Sequence, residues 1–285
     1  MAMLNLPLLG SDLTYYQIAF DAYKRHMYHE GFEDMWKDIC GMFTFDDSKE
    51  DEICVLIVGP GKGENEIKVL NFVLKRHSSV YVRVIEPDKT AVSHFKEECD
   101  RLKKTHPNLR YEFFMNTFQE YIAKSRQSED ESKFHFVVCI ASLYYMDDIT
   151  DALEHLHIMI KSTGIIVSDM IDHTSSVGKL FIKQWEDETY PVTLQSGKGI
   201  KDVLQRKGWQ FELKYRRAEL DVSLLLDNEP EGTLVLDFIM HVVNFRHAAP
   251  KTYVDEIFSL IWQMVENVGD KKMLSANREV VVISK

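Results

Sequence analysis

The chain has 285 residues, 45% of them hydrophobic, and a formal net charge of −11. This length suits one elaborated α/β domain with a real core, and the charge disfavours a phosphate backbone, whose binding draws its strength from Lys and Arg. The longest apolar runs, such as "FVVCIASLYYM" at 136–146, are too short to cross a bilayer, and the N-terminal "MAMLNLPLLG" lacks the basic flank of a secretory signal, so a cytoplasmic protein with no membrane or nucleic-acid partner is expected.

From Leu13 to Phe43, Tyr16, Phe20 and Tyr23, then Phe32, Met35, Trp36 and Ile39, recur at three- and four-residue spacing and predict two helices. After the acidic break "FDDSKEDE", the run "ICVLIVG" predicts a buried strand, residues 64–77 return to helical spacing, and "SVYVRVIEP" at 79–87 alternates up to a proline. That is one βαβ unit. The alternation continues with a helix over 88–104, a strand at "LRYEFFM", a helix from Thr117 to Lys124, the strand "FHFVVCIA", a helix over 148–161 and the strand "GIIVSDM". Strands regularly separated by helices predict a parallel sheet covered on both faces, with its ligand beyond the carboxyl ends of the strands.

Beyond Asp172 the pattern loosens. "GKLFIKQWEDET" and "GIKDVLQRKG" read as helices, "QFELKYRRAELDVS" as a pair of strands, "LVLDFIMHVVNF" as a helix and "REVVVIS" as a last strand. Cys40, Cys54, Cys99 and Cys139 form no C-x-x-C pair, which suits a reducing compartment and predicts no structural zinc. The histidines show no ligand-like clustering and Ser142 has no flanking elbow glycines, so neither a metal site nor a hydrolase triad is expected. "RLKKTH" at 101–106 reads as a solvated helix face.

The chemistry concentrates at "VLIVGPGKGENEI". Gly59, Gly61 and Gly63 follow a buried strand and let the chain turn sharply, bringing backbone N–H groups to a ligand without Cβ obstruction. A tight turn with no ligand is the plainer reading of glycines alone. The second strand, however, ends in Glu86, whose oxygens suit the two hydroxyls of a ribose. A nicotinamide site prefers G-x-G-x-x-G; the G-x-G-x-G spacing followed by an acid is what methyltransferases of the Rossmann-like class look like, and it favours S-adenosylmethionine. "CIASLYYMDD" then runs the fourth strand into an aromatic pair, where a transferred methyl would meet its acceptor.

"VLIVGPGKGE", "VIEPDKTAV", "LYYMDDI", "LDFIMHVVNFRHAAP" and the terminal "VVVIS" together resemble histamine N-methyltransferases nearly end to end. The resemblance implies a class I S-adenosylmethionine-dependent methyltransferase fold, α/β and Rossmann-like, as a single domain over 1–285. Its parts would be a helical cap over 1–45, a cofactor core over 53–172, substrate-side elements over 173–276 and a final strand over 277–285. It implies cofactor contacts at Gly59, Glu86 and Ile140, with a polar contact near Thr117 and Phe118 and the adenine-side glutamine replaced by Ala91. On the substrate side it implies an aromatic lining from Tyr16, Phe20, Tyr144, Tyr145, Phe181, Tyr190 and Phe245, although helical spacing alone would bury Tyr16 and Phe20.

Three polar contacts of the family fall on His29, Ala141 and Ala276, and a one-residue slip would put Glu30 in place of His29. A pocket that has lost polar groups changes what it accepts. The expectation is therefore an N-methyltransferase of a small imidazole or amine compound other than histamine, a monomer that releases S-adenosylhomocysteine. His29 and Tyr144 are the candidate catalytic side chains, His29 as a base or as a partner for a substrate carboxylate, with a surface histidine the plainer reading. The competing reading is a catalytically silent relative that binds the cofactor or a partner through the same fold.

Overall fold

A computed structural model of the chain describes residues 5–42, 52–128, 132–185, 195, 197–226 and 229–285. The chain divides into two compact units, each made of three segments: Met1–Glu30, Ile171–Ser196 and Arg216–Arg278 in one, and Gly31–Met170, Gly197–Tyr215 and Glu279–Lys285 in the other. The division at Glu30 precedes the cap boundary expected at 45. The Phe32–Gly41 helix buries Trp36, Ile39 and Cys40 in the core of the second unit.

That second unit is built on a seven-stranded sheet. Its strands are β1 (Ile53–Val58), β2 (Val80–Ile85), β3 (Leu109–Phe114), β4 (Phe134–Ile140), β5 (Ile160–Ile171), β6 (Phe211–Arg216) and β7 (Arg278–Ser284), in the order β3-β2-β1-β4-β5-β7-β6. β1 pairs parallel with β2 from Ile53↔Val80 to Val58↔Ile85, and with β4 at Val55↔Phe136 through Ile57↔Val138. β2 pairs parallel with β3, and β4 with β5, so four successive βα units wind outward from β1. β4 is buried at every residue, which is why "FHFVVCI" reads as one continuous apolar run rather than an alternating one.

Helix starts in this unit follow local chemistry. Asp88 and Asp148 cap the Lys89–Thr105 and Ile149–Met159 helices by accepting N–H bonds from the first turn. Thr117 and Glu120 bond each other's backbone N–H reciprocally ahead of the Phe118–Ser128 helix, a capping box.

The other unit carries a four-stranded antiparallel sheet in the order Met27–His29, Ala218–Asp221, Lys271–Ser275, Glu266–Val268, and the Leu13–His26 helix packs on Pro230–Met240. Between the two helices expected over 13–43 the chain therefore inserts a short strand. Gly31, at φ 65, supplies the left-handed turn that starts the next helix. "QFELKYRRAELDVS" gives two strands, as read, but they enter different sheets. Among the described residues no helix is long and apolar enough to cross a membrane.

Candidate active site

At the carboxyl end of β1 the three glycines all adopt left-handed backbone, with φ of 62, 57 and 77 at Gly59, Gly61 and Gly63. L side chains avoid this region. The glycines differ in what surrounds them. A Cβ at Gly59 would fall 2.7 Å from Ser142 Cβ, and one at Gly63 2.4 Å from the Phe95 ring, so packing forbids both; a Cβ at Gly61 would meet no atom within 4 Å. The turn is thus closed against the protein at its two ends and open at its middle glycine.

Glu86 follows β2 and is 7% exposed. Its Oε2 accepts the Gly61 N–H at 2.9 Å and its Oε1 accepts the Asp88 N–H at 2.9 Å. Each carboxylate oxygen has a second lone pair, so the group retains capacity for two further donors such as a ribose diol. Burial pushes the Glu86 carboxyl above the ordinary range, while the two N–H bonds pull it back. Beneath the turn, Glu66 is 3% exposed, and burial, with Asp169 and Glu86 nearby, pushes it up to about 8. An acid in the first helical turn ordinarily gains from the dipole. Here desolvation wins.

Strand β4 ends at Ile140, buried and paired with Asp169. Ala141 takes φ 53 and donates its N–H to the Asp169 carbonyl, which turns the chain so that Ser142 lies over Gly59. Tyr144 is 7% exposed and Tyr145 44%, their rings 6.4 Å apart edge to face. Of the expected cofactor residues, Gly59, Gly61 and Glu86 converge on one turn, Gly63 closes it, and Ile140 ends the adjacent strand. Thr117 is exposed, with its hydroxyl accepting the Glu120 N–H, and Ala91 is buried in the helix after β2.

In the unit with the small sheet, the expected substrate residues fall into two groups. His29 pairs with Ala218 across the sheet, and the Ala276 N–H donates to the Ala218 carbonyl at 2.7 Å, so the two positions flank one residue. The Arg216 guanidinium lies 3.0 Å from His29 Nδ1. An arginine only donates, so this bond fixes the ring proton on Nε2. With Nδ1 engaged in this way, the base role expected for His29 requires the Arg216 bond to break. Glu30, the alternative at the same turn, is exposed and donates its backbone N–H to the Arg217 carbonyl.

The second group is aromatic. Tyr16 and Phe20, half-buried, lie 5.8 and 5.1 Å from Phe238, and Tyr23 lies 4.6 Å from it. His241 sits 5.8 Å from Phe238 and 5.5 Å from Phe181. Burial brings His241 down to about 4, leaving it neutral at pH 7. Phe245 is fully buried with its ring against Tyr253, and Tyr190 lies outside the described residues.

Phe238 and His241 escaped the sequence reading because "LVLDFIMHVVNF" scans as one helix. The helix stops at Met240, and His241 and Asn244 both turn left-handed at φ 53. Asp237 causes the stop: fully buried, it accepts Tyr15 Oη at 2.7 Å and the N–H groups of Asn244 and Phe245 at 2.6 and 2.9 Å. The carboxylate followed by an N-F pair, visible in the sequence, was the available signal.

A family model described as a methyltransferase domain matches residues 29–213, more than half of the chain. The chain belongs to that methyltransferase family. S-adenosylmethionine is therefore its cofactor, and the turn fits it, with an open middle glycine and a buried carboxylate that has acceptor capacity left. The methyltransferase is distantly related to histamine N-methyltransferases. That of Bos taurus is 24% identical over 230 residues, covering 79% of this chain and 78% of the relative. Carnosine N-methyltransferase 2 of Gallus gallus is 24% identical over 206 residues, covering 70% of this chain and 63% of the relative. Among solved structures, the YcgJ protein of Bacillus subtilis superimposes with a TM-score of 0.51 at 11% identity, covering 88% of this chain and 97% of that one, a similarity of fold.

Proposed function

We propose that the methyltransferase transfers a methyl group to a nitrogen of a small imidazole or amine compound other than histamine. When bound, S-adenosylmethionine supplies an electrophilic methyl on a sulfonium. The chain's own residues have three tasks. They hold the donor, for which the turn at Gly59–Gly63 and Glu86 are suited; they orient an unprotonated acceptor nitrogen; and they keep water out. Alignment of this kind supplies roughly 7–11 kcal/mol of a bimolecular barrier, so no nucleophilic side chain is needed.

The observation that carries the reading of the acceptor is the Arg216 guanidinium 3.0 Å from His29 Nδ1. The family resemblance puts an acid at position 29, which attracts a cationic amine. A histidine tied to a permanent positive charge repels one and favours an anionic group instead. Ala276 likewise brings no polar atom to Ala218 from its side chain, while the aromatic group around Phe238, with neutral His241, suits a flat or weakly polar ring. The curated relatives act, by their names, on histamine and carnosine, which supports a nitrogen acceptor.

The test is incubation with S-adenosylmethionine and a panel of imidazoles, arylalkylamines and amino acids, reading S-adenosylhomocysteine. Turnover of an imidazole or amine carrying an anionic group above that of histamine is expected. Histamine as the best acceptor, or no product with any of them, would contradict the proposal. Ala276→Asn is expected to raise affinity for histamine, as is Ala141→Gln, since the Cβ of Ala141 already carries the left-handed strain at φ 53.

A further inference from the structure

The cofactor turn is flanked on its β4 side by a hydroxyl that no other described residue pairs with. Ser142 is 5% exposed, and among the described residues its Oγ has no hydrogen-bond partner. A buried hydroxyl left unpaired costs roughly 1–3 kcal/mol, so natural structures rarely keep one without a purpose. Ser142 also stands at the N-cap of the Leu143–Tyr145 turn, where a serine side chain ordinarily accepts a backbone N–H, and it makes no such cap. Its Cβ is the atom a side chain at Gly59 would strike, so the hydroxyl belongs to the wall of the glycine turn. The left-handed Ala141 before it is the backbone device that puts it there.

Strand order then tells the two sides of the turn apart. β1 lies between β2 and β4, with Glu86 at the end of β2 and Ser142 just past the end of β4. A nucleoside whose ribose rests on Glu86 has two arms, an adenine and a charged amino-acid chain. The family resemblance puts the adenine beside Ala91, on the Lys89–Thr105 helix that follows β2, so the other arm runs over β1 toward β4. We infer that the Ser142 hydroxyl holds the charged amino-acid end of S-adenosylmethionine, hydrogen-bonding its carboxylate or ammonium group. The inference rests on the reading that Glu86 takes the ribose, and it assigns to Ser142 a binding role that the glycine motif does not contain.

Calorimetric titrations of the full chain with S-adenosylhomocysteine and with 5′-methylthioadenosine, which lacks the amino-acid end, test it. Ser142→Ala keeps the Cβ that packs on Gly59 and removes only the hydroxyl. The expected result is a loss of roughly tenfold to a hundredfold in affinity for S-adenosylhomocysteine and none for 5′-methylthioadenosine. Ser142→Cys, which donates weakly, is expected to show the same selective loss and covers the case in which the alanine variant folds poorly. Equal losses for both nucleosides, or no loss for either, would overturn the assignment. Glu86→Ala in the same titrations is expected to weaken both nucleosides alike. If Glu86→Ala leaves both unchanged, it is the ribose reading that fails, whatever Ser142 does.

Discussion

At the turn after β1 the backbone carries the shape: three left-handed glycines, two of them packed where no Cβ fits, and a carboxylate bonded to main-chain N–H groups. Around Phe238 the side chains carry it: rings from Leu13–His26 meet Phe238, and Phe181 and Phe238 both meet His241, at 4.6–5.8 Å. A shape made of main chain admits few substitutions, while one made of packed rings is retuned by single exchanges that leave the backbone alone. The difference gives a physical reason for a methyltransferase to keep one cofactor and change its acceptor.

The largest expected effect breaks the turn itself. Gly63→Ala puts a Cβ 2.4 Å from Phe95 at φ 77, and a loss of about 4 kcal/mol of stability in urea unfolding is expected, whereas Gly61→Ala, with no atom within 4 Å, loses only the left-handed strain of about 1–2 kcal/mol. Equal costs at the two glycines would break the distinction between closed and open positions. Next, Glu86→Ala is expected to weaken S-adenosylhomocysteine binding roughly a hundredfold in calorimetry, since two hydrogen bonds from the ribose to a charged group are removed, with a cooperative unfolding transition kept at lower stability because the Gly61 and Asp88 N–H groups lose their acceptor.

A smaller effect appears in pH dependence. Glu66 is held at about 8 in the folded chain against an ordinary 4.5. Between those values the folded state binds the extra proton, so this group's contribution is fully favourable below 4.5 and is lost as pH rises through 8. Wild-type stability is expected to fall between pH 5 and pH 9, and Glu66→Gln to flatten that fall by about 2 kcal/mol, smaller than the full shift because water reaches buried acids. A parallel profile for the variant would remove Glu66 as the cause. The smallest effect lies on the aromatic side: Phe238→Leu is expected to cost about 1 kcal/mol, seen as a higher KM for the acceptor with cofactor affinity unchanged.

The parallel sheet was legible because each of its strands is an apolar or alternating run closed by a glycine, proline or polar turn, and because helices with clear period separate β1 through β5. The small sheet was not. Met27–His29 and Glu266–Val268 are three residues each and largely exposed; the first exists only through pairing with distant Ala218–Leu220, and the second pairs with Lys271–Met273 across the two-residue turn Gly269–Asp270. No local pattern announces the first, and the second is too short and polar to show an apolar alternation beside its Gly-Asp turn. The same holds for the site. Glycines and an acid placed by strand ends can be read along the chain, but Arg216 beside His29 joins residues far apart in sequence, and His241 leaves its helix because of a carboxylate four residues earlier.

A crystal structure with S-adenosylhomocysteine bound tests the cofactor cradle most directly. Both ribose hydroxyls should lie within hydrogen-bonding distance of the Glu86 carboxylate, with the nucleoside passing over Gly61 and its amino-acid end beside Ser142. A nucleoside seated away from the β1 turn, or one whose ribose makes no contact with Glu86, would contradict it.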